Sequence, residues 1–341
     1  MAIFDLTMRG PLHLGEFTGI HREATLDWIP SDTLFAALVG AWAEQGLLVE
    51  DQLEEFRRQS PPWIISSAFP RAGMVRFYPA PPRLPRHSGI LVEGSAKAAK
   101  KIRWLSAGVY EALAQGETPA AGENNFLHGG TVWITSAEYG QVKNLLELSV
   151  DGRWRLWGTQ VVPHVTLDRS RNASNLYYTG QVNVGKNCGF WFAIRGPGEN
   201  VRPALNYLAE AGLGGLRSTG HGSFYWTEME TDLPEVKSGY GFCLSRYAPQ
   251  TSEEIARGLQ AENSAYKLVT VGGWCQDDRG HSWRRRTIRM VAEGALLPNV
   301  VSGGLVDVRP LKPEDWLGPQ RPVYRAGWAF LIPAGKLVEA I

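Results

Sequence analysis

A mixed α+β fold is predicted for this 341-residue chain by three observations. Short runs with strand-like alternation recur along its whole length, two segments carry the helical period, and each of those segments sits between strand-like runs. Strand, helix, strand is the order from which ferredoxin-like (RRM-like) units are built. Its recurrence predicts two such units, at residues 1–150 and 151–341, with insertions and a projecting β-hairpin.

In the first unit Phe4, Leu6 and Met8 alternate with Asp5, Thr7 and Arg9, the pattern of a strand with one wet face. Residues 10–30 read as an irregular connection. Ser31-Asp32 then opens a helix whose apolar stripe is Leu34, Phe35, Leu38, Val39 and Trp42. The amides of Ser31, Asp32 and Thr33 are of the kind that receive a phosphate, with an ordinary helix cap as the alternative reading. Strands are expected at 63–69, 74–78 and 131–135. The proline-rich stretch 79–86 fits neither a helix nor a central strand. Lys97, Lys100, Lys101 and Arg103 form a basic helical segment.

Residues 161–167 and 176–184 read as the two arms of a long hairpin, joined by the polar turn Asp168-Arg169-Ser170-Arg171-Asn172-Ala173-Ser174-Asn175. The second unit is expected to begin with a strand at 190–194. A helix at 200–211 follows, with Val201, Ala204, Leu205 and Leu208 on one face. Further strands are expected at 223–231, 240–244, 267–274, 283–291 and 323–331.

Between the second helix and its following strand runs Gly212-Leu213-Gly214-Gly215-Leu216-Arg217-Ser218-Thr219-Gly220-His221-Gly222, five glycines in eleven residues. Glycines let a backbone turn with positive φ and approach a ligand, while Arg217, Ser218 and His221 are donors suited to phosphate oxygens. Helix, glycines, strand is the reverse of a nucleotide-binding cradle, and no Gly-Lys-Ser/Thr occurs. That order argues against a nucleotide cofactor and for a polyanionic chain. A loop that only reverses direction is the alternative. The most basic stretch, His281-Ser282-Trp283-Arg284-Arg285-Arg286-Thr287-Ile288-Arg289, lies on an expected strand. Alternation puts Arg284 and Arg286 on one face and Arg285 and Arg289 on the other; Arg284 and Arg286 are the pair assigned to phosphates.

A helix followed by Gly-Leu-Gly-Gly-Leu-Arg-Ser-Thr-Gly-His-Gly and an aromatic strand resembles the signature loop of the RAMP proteins of CRISPR systems. Leu12-His13-Leu14-Gly15, Ser31-Asp32-Thr33-Leu34-Phe35-Ala36-Ala37-Leu38 and Val165-Thr166-Leu167-Asp168-Arg169 resemble one branch of that superfamily, subunit four of the type III-A Csm effector. The resemblance spans nearly the whole chain. It implies a non-catalytic RNA-binding subunit that holds the five-prime tag of the CRISPR RNA and bridges the large polymerase-like subunit to the backbone subunit. It also implies that the hairpin is a thumb over the guide strand, with Arg169 and Arg171 on phosphates and Leu176 wedged against a base. The RNA-binding set then comprises Gly214, Gly215, Arg217, Ser218, Gly220, His221, Gly222, Arg169, Arg171, His13, Ser31, Thr33, Arg284 and Arg286. A metal-independent endoribonuclease using His13, His21 or His221 shares the scaffold and stays open as the alternative.

Bulk properties bound these readings. Hydrophobic content of 44% and charged content of 20% describe a globular chain, and a formal net charge of +1 confines any RNA contact to local basic patches. Cys188, Cys243 and Cys275 are widely spaced, which suggests neither a metal site nor disulfides. Without a signal-like start or a bilayer-length apolar run, the expected location is cytoplasmic, with no membrane partner.

Overall fold

In a computed structural model of the chain, all residues are described except 17–23, 48, 91–95, 149–153, 169–172, 231–232, 277–279, 311–321 and 341. The fold is α+β, as expected. Its centre is a nine-stranded sheet that runs Phe224–Glu230, Ala2–Met8, Cys188–Arg195, Phe69–Ala72, Val75–Pro79, Trp104–Ser106, Val132–Trp133, Phe126–Leu127, with Ile64–Ile65 also paired to Cys188–Arg195.

Six of these elements, taken in chain order, make one β-α-β-β-α-β unit: Ala2–Met8, helix Ser31–Glu44, Phe69–Ala72, Cys188–Arg195, helix Val201–Ala211, Phe224–Glu230. Ala2–Met8 is antiparallel to both neighbours, opposite Cys188–Arg195 on one side and Phe224–Glu230 on the other. The sheet therefore crosses position 150, where the sequence pattern placed a boundary. The strand expected to open a second unit is a central strand of the first, and residues 73–187 are an excursion between neighbouring strands.

The expected wet face of Ala2–Met8 is covered instead. Phe4 and Leu6 pack beneath the two helices with Leu34, Leu38, Leu205 and Leu208, and Ile3 packs on the opposite face with Trp191 and Phe77. Asp5, on that second face, is buried and paired with Arg76 at 3.1 Å. Its charge is neutralised by protein rather than hydrated, which is how a charged residue is retained inside.

Within the excursion rises the hairpin, Trp157–Asp168 against Ala173–Val184, in unbroken antiparallel register from Trp157 opposite Val184 to Asp168 opposite Ala173. Its base is held by His128, whose Nε2 accepts the Leu156 amide at 2.9 Å and whose ring meets Trp157 edge-on at 4.5 Å. Residues after 237 form a three-stranded sheet, Leu296–Pro298, Tyr240–Cys243, Leu331–Pro333, and two-stranded ladders that include Leu268–Val271 with Ile288–Val291 and Trp274–Gln276 with Ser282–Arg284. The strand expected at 283–291 is thus broken at Arg285. There the Arg285 amide bonds to Gly273 while the Arg286 amide turns to Val308.

These C-terminal elements dock on the N-terminus of helix Ser31–Glu44 through buried charge. Asp32, fully buried, forms an ion pair with Arg325 at 2.9 Å and accepts from Arg246 at 3.2 Å. Glu293 lies 3.7 Å from Arg246 and accepts from Ser67 at 2.7 Å and Trp28 at 3.1 Å.

Burial, reinforced by Arg155, pushes the His128 imidazole from its ordinary 6.5 down to about 3. In the unfolded chain the ring takes up its proton at the ordinary value, so the unfolded state binds more protons between those limits. Stability should therefore be fully present above pH 6.5 and fall as pH drops toward 3, by up to about 1.4 kcal/mol per pH unit. Urea unfolding across that range should show the slope, and His128→Gln should flatten it.

Candidate nucleic-acid interface

The glycine stretch is shaped by its own packing before it meets any ligand. Gly214 and Gly222 take φ of +82° and +77°. A Cβ on Gly214 would lie 2.3 Å from the His13 carbonyl oxygen, and one on Gly222 would lie 1.9 Å from that of Leu213. The expected reservoir of free amides is largely used up. Gly215 N–H donates to His13, Gly222 to Pro11 and Leu213 to Gly222, and Thr219, Gly220 and His221 close the short turn over Arg217–Thr219. The loop is a joint that clamps residues 11–13, and of its glycines Gly214 and Gly215 line the neighbouring cavity.

Both histidines of the set tie this joint to the thumb strand. His13 is buried, with its ring over Gly215 and Nδ1 2.5 Å from the Gly180 carbonyl. His221 meets the Thr219 hydroxyl at 3.0 Å through Nδ1 and the Gln181 side-chain oxygen at 3.2 Å through Nε2. Loop and hairpin are thereby set relative to each other.

On the other side of Gly214 and Gly215 opens a cavity of about 290 Å³ lined also by His13, Thr33, Gly272, Gly273, Arg246, Arg285 and Arg325. Two glycine pairs from distant parts of the chain thus line one cavity together with three guanidinium groups. Arg246 and Arg325 are held by Asp32 and Glu293. Arg285 is pushed down to about 10 by burial and then by the like charge of Arg325.

The structure brings Gly214, Gly215, His13 and Thr33 to this cavity but not the rest of the set. Ser31 is buried behind it: its amide donates to Ser67 Oγ at 2.8 Å and its hydroxyl accepts the Arg246 amide at 2.9 Å. The Thr33 amide is spent on Pro30 at 3.0 Å. The helix N-terminus therefore offers no phosphate seat, since the buried Asp32 carboxylate already lies there. Gly222 is buried in the joint, and Arg217, Ser218 and Gly220 are exposed at its tip, outside the cavity. Arg284 is exposed over Trp274 at 5.2 Å, and Arg286 is exposed and donates to the Asp307 carbonyl. Arg169, Arg171 and His21 lie outside the described residues.

The sequence pattern singles out neither Arg246 nor Arg325, and alternation across one continuous strand places Arg285 on the face opposite the pair assigned to phosphates. Arg246 and Arg325 stand alone in apolar runs, a signal legible only as buried charge in want of a partner. Among the described residues no group of acidic, histidine and cysteine side chains could hold a metal ion, and no helix is long and apolar enough to cross a membrane.

Residues 237–334 match the family model of the CRISPR Csm4 C-terminal domain. The CRISPR system Cms protein Csm4 of Thermococcus onnurineus is 30% identical over 150 residues, 42% of this chain and 45% of that protein. This region spans less than half of that relative. The protein of the same description from Methanocaldococcus jannaschii is 22% identical over 92% of this chain and 90% of its own. In structure, the chain is similar to one from the Csm3–Csm4 subcomplex of the type III-A CRISPR-Cas interference complex, with TM-score 0.63 and 17% identity, covering 98% and 99% of the two chains. A chain of the Csm1–Csm4 cassette in complex with cA4 gives TM-score 0.54 at 20% identity, covering 97% and 96%. These two likenesses show the fold.

The joint makes a test of its own. Gly222→Ala meets a carbonyl at 1.9 Å and must move the loop, whereas Gly220→Ala, with open space around it, carries only the left-handed backbone penalty of about 1–2 kcal/mol. Urea unfolding should show Gly222→Ala as clearly the more destabilised of the two.

Proposed function

We propose that the chain, which matches the Csm4 C-terminal family model over residues 237–334 and is similar to two Csm4 proteins, is the non-catalytic Csm4 subunit of a type III-A complex that holds the five-prime tag of the CRISPR RNA. In that role it bridges the large polymerase-like subunit to the backbone subunit. The observation that carries the reading is the convergence at one cavity of Gly214, Gly215, Gly272 and Gly273 with Arg246, Arg285 and Arg325, in a chain whose net charge is only +1. Close backbone approach plus local cations is what a single-stranded polyanion needs, and it needs no overall positive field.

In this reading the thumb sets the register. Leu176 is 54% exposed on the face shared with Val165, directly opposite it, so an apolar edge is presented where a base would be displaced. Arg169 and Arg171, which lie in sequence between the two arms, with Arg217 and Ser218 on the loop, would add phosphate contacts along the strand. Phosphate contacts position the RNA, and unstacked bases allow its sequence to be read. The match over residues 237–334 and the order of strand Tyr240–Cys243 and helix Ser252–Gly258 support a second, reduced ferredoxin-like unit as the other wall of the groove. The bonds of His13 and His221 to the thumb strand favour positioning over proton transfer for both.

Filter binding with tag RNA should show a log–log salt slope of about −0.7 per phosphate contact. Arg217→Ala combined with Arg169→Ala should weaken retention in the assembled complex. A flat salt response would contradict RNA binding, and site-specific cutting of repeat RNA in EDTA, abolished by changing His13, His21 or His221, would establish the nuclease reading instead.

A further inference from the structure

Among the described residues the charges around the cavity do not balance. Three guanidinium groups line it, and the described carboxylates that contact them are two, Asp32 and Glu293. Asp32 is shared by Arg246 and Arg325, and Glu293 lies against Arg246, so the surplus cation is Arg285. Its side chain makes no hydrogen bond or ion pair with the described residues, and its Nε is buried with no partner. Each of the other two arginines lining the cavity has a carboxylate within 3.2 Å.

The surplus charge points at a second one. A Cβ placed on Gly273 would lie 3.2 Å from Arg285 Nη2 and 3.5 Å from Arg325 Nη2, so two guanidinium edges come together beside a residue that has no side chain, with Arg325 Nη2 also donating to the Gly272 carbonyl at 3.0 Å. Gly273 has φ +125°, a conformation reserved for glycine. Arg285 N–H bonds to the Gly273 carbonyl, which fixes the two residues across from each other. Like charges held together over an empty backbone position oppose folding unless an anion joins them.

We infer that the space above Gly273 is a seat for one phosphate group, bridged by Arg285 and Arg325. The class of ligand is a phosphate monoanion such as an RNA backbone diester. That identity rests on the RNA-binding reading; the seat does not. Guanidinium forks match phosphate oxygens in pairs, and Asp32 holds Arg325 through Nη1 at 2.9 Å. Thr33 and Gly214 line the same cavity.

The test uses the full chain and two probes. The first is a tag RNA carrying one uncharged methylphosphonate linkage at a time. At a single linkage the parent should lose on the order of tenfold in affinity, while Arg285→Gln, weakened for the normal RNA, should lose nothing further there. The second probe is inorganic phosphate alone, read by thermal shift: it should raise the melting temperature of the parent and not that of Arg285→Gln. Without anion, Arg285→Gln should be at least as stable as the parent, because a repelling neighbour is gone; a purely structural arginine would give a loss. A response to inorganic phosphate with no Arg285-dependent linkage would keep the seat and assign it to a free anion. Wild-type RNA binding in which no linkage depends on Arg285, together with an equal thermal response in both proteins, overturns the seat. Absence of any RNA binding contradicts the tag reading alone, since the phosphate arm requires no RNA. Gly273→Ala, which fills the space and leaves both arginines, should reproduce the loss of both responses.

Discussion

Everything at the interface depends on one buried carboxylate. Asp32 sits at the start of the first long helix, out of reach of solvent, and holds Arg246 and Arg325 at 3.2 and 2.9 Å. Breaking such a group away from its partners leaves uncompensated charge in a region of low dielectric, which costs several kcal/mol, about 3–5 in measured cases. The helix belongs to the central sheet and the two arginines to the C-terminal elements, so the same contact joins the two parts and fixes the guanidinium groups that face the glycines. Glu293 extends it to Trp28 and Ser67.

In the proposed reading, that arrangement is how a nearly neutral molecule would present a seat for a polyanion. Of the three arginines at the cavity, Arg246 and Arg325 are held by internal carboxylates, and Arg285 forms no ion pair with a described residue. The net charge of +1 is then a statement about compensation elsewhere, as in Arg202 against Glu228 at 2.6 Å and Arg9 against Glu210 at 2.9 Å on the surface. Local potential, not the sum over the chain, governs where phosphate can sit.

Local chemistry made much of this fold legible. The helix ending at Gly212, the aromatic strand after the glycines and the two arms of the thumb follow from period and from glycine and polar punctuation, and their observed bounds, Val201–Ala211, Phe224–Glu230, Trp157–Asp168 and Ala173–Val184, agree closely. What failed was non-local. Period cannot show that Phe69–Ala72 and Cys188–Arg195 are sheet neighbours across 115 intervening residues, so the sheet was divided near 150 in the sequence reading. Nor can alternation survive a strand that changes partners: between Arg285 and Arg286 the chain leaves Gly273 for Val308, and the face assignment of the arginines is lost with it. The internal engagement of the Ser31 and Thr33 amides is not legible in the sequence, because a helix start looks the same whether it faces a ligand or, as here, carries a buried carboxylate of its own.

The central claim is that RNA lies between the glycine joint and the C-terminal arginines, under the thumb. Photo-crosslinking of a 4-thiouridine-substituted tag RNA to the assembled complex, with the attached peptides mapped by mass spectrometry, tests it most directly. Adducts within residues 173–184, 213–222 and 268–286 are the predicted result; adducts confined to the opposite edge of the central sheet, around Val132–Trp133 and Phe126–Leu127, would contradict it.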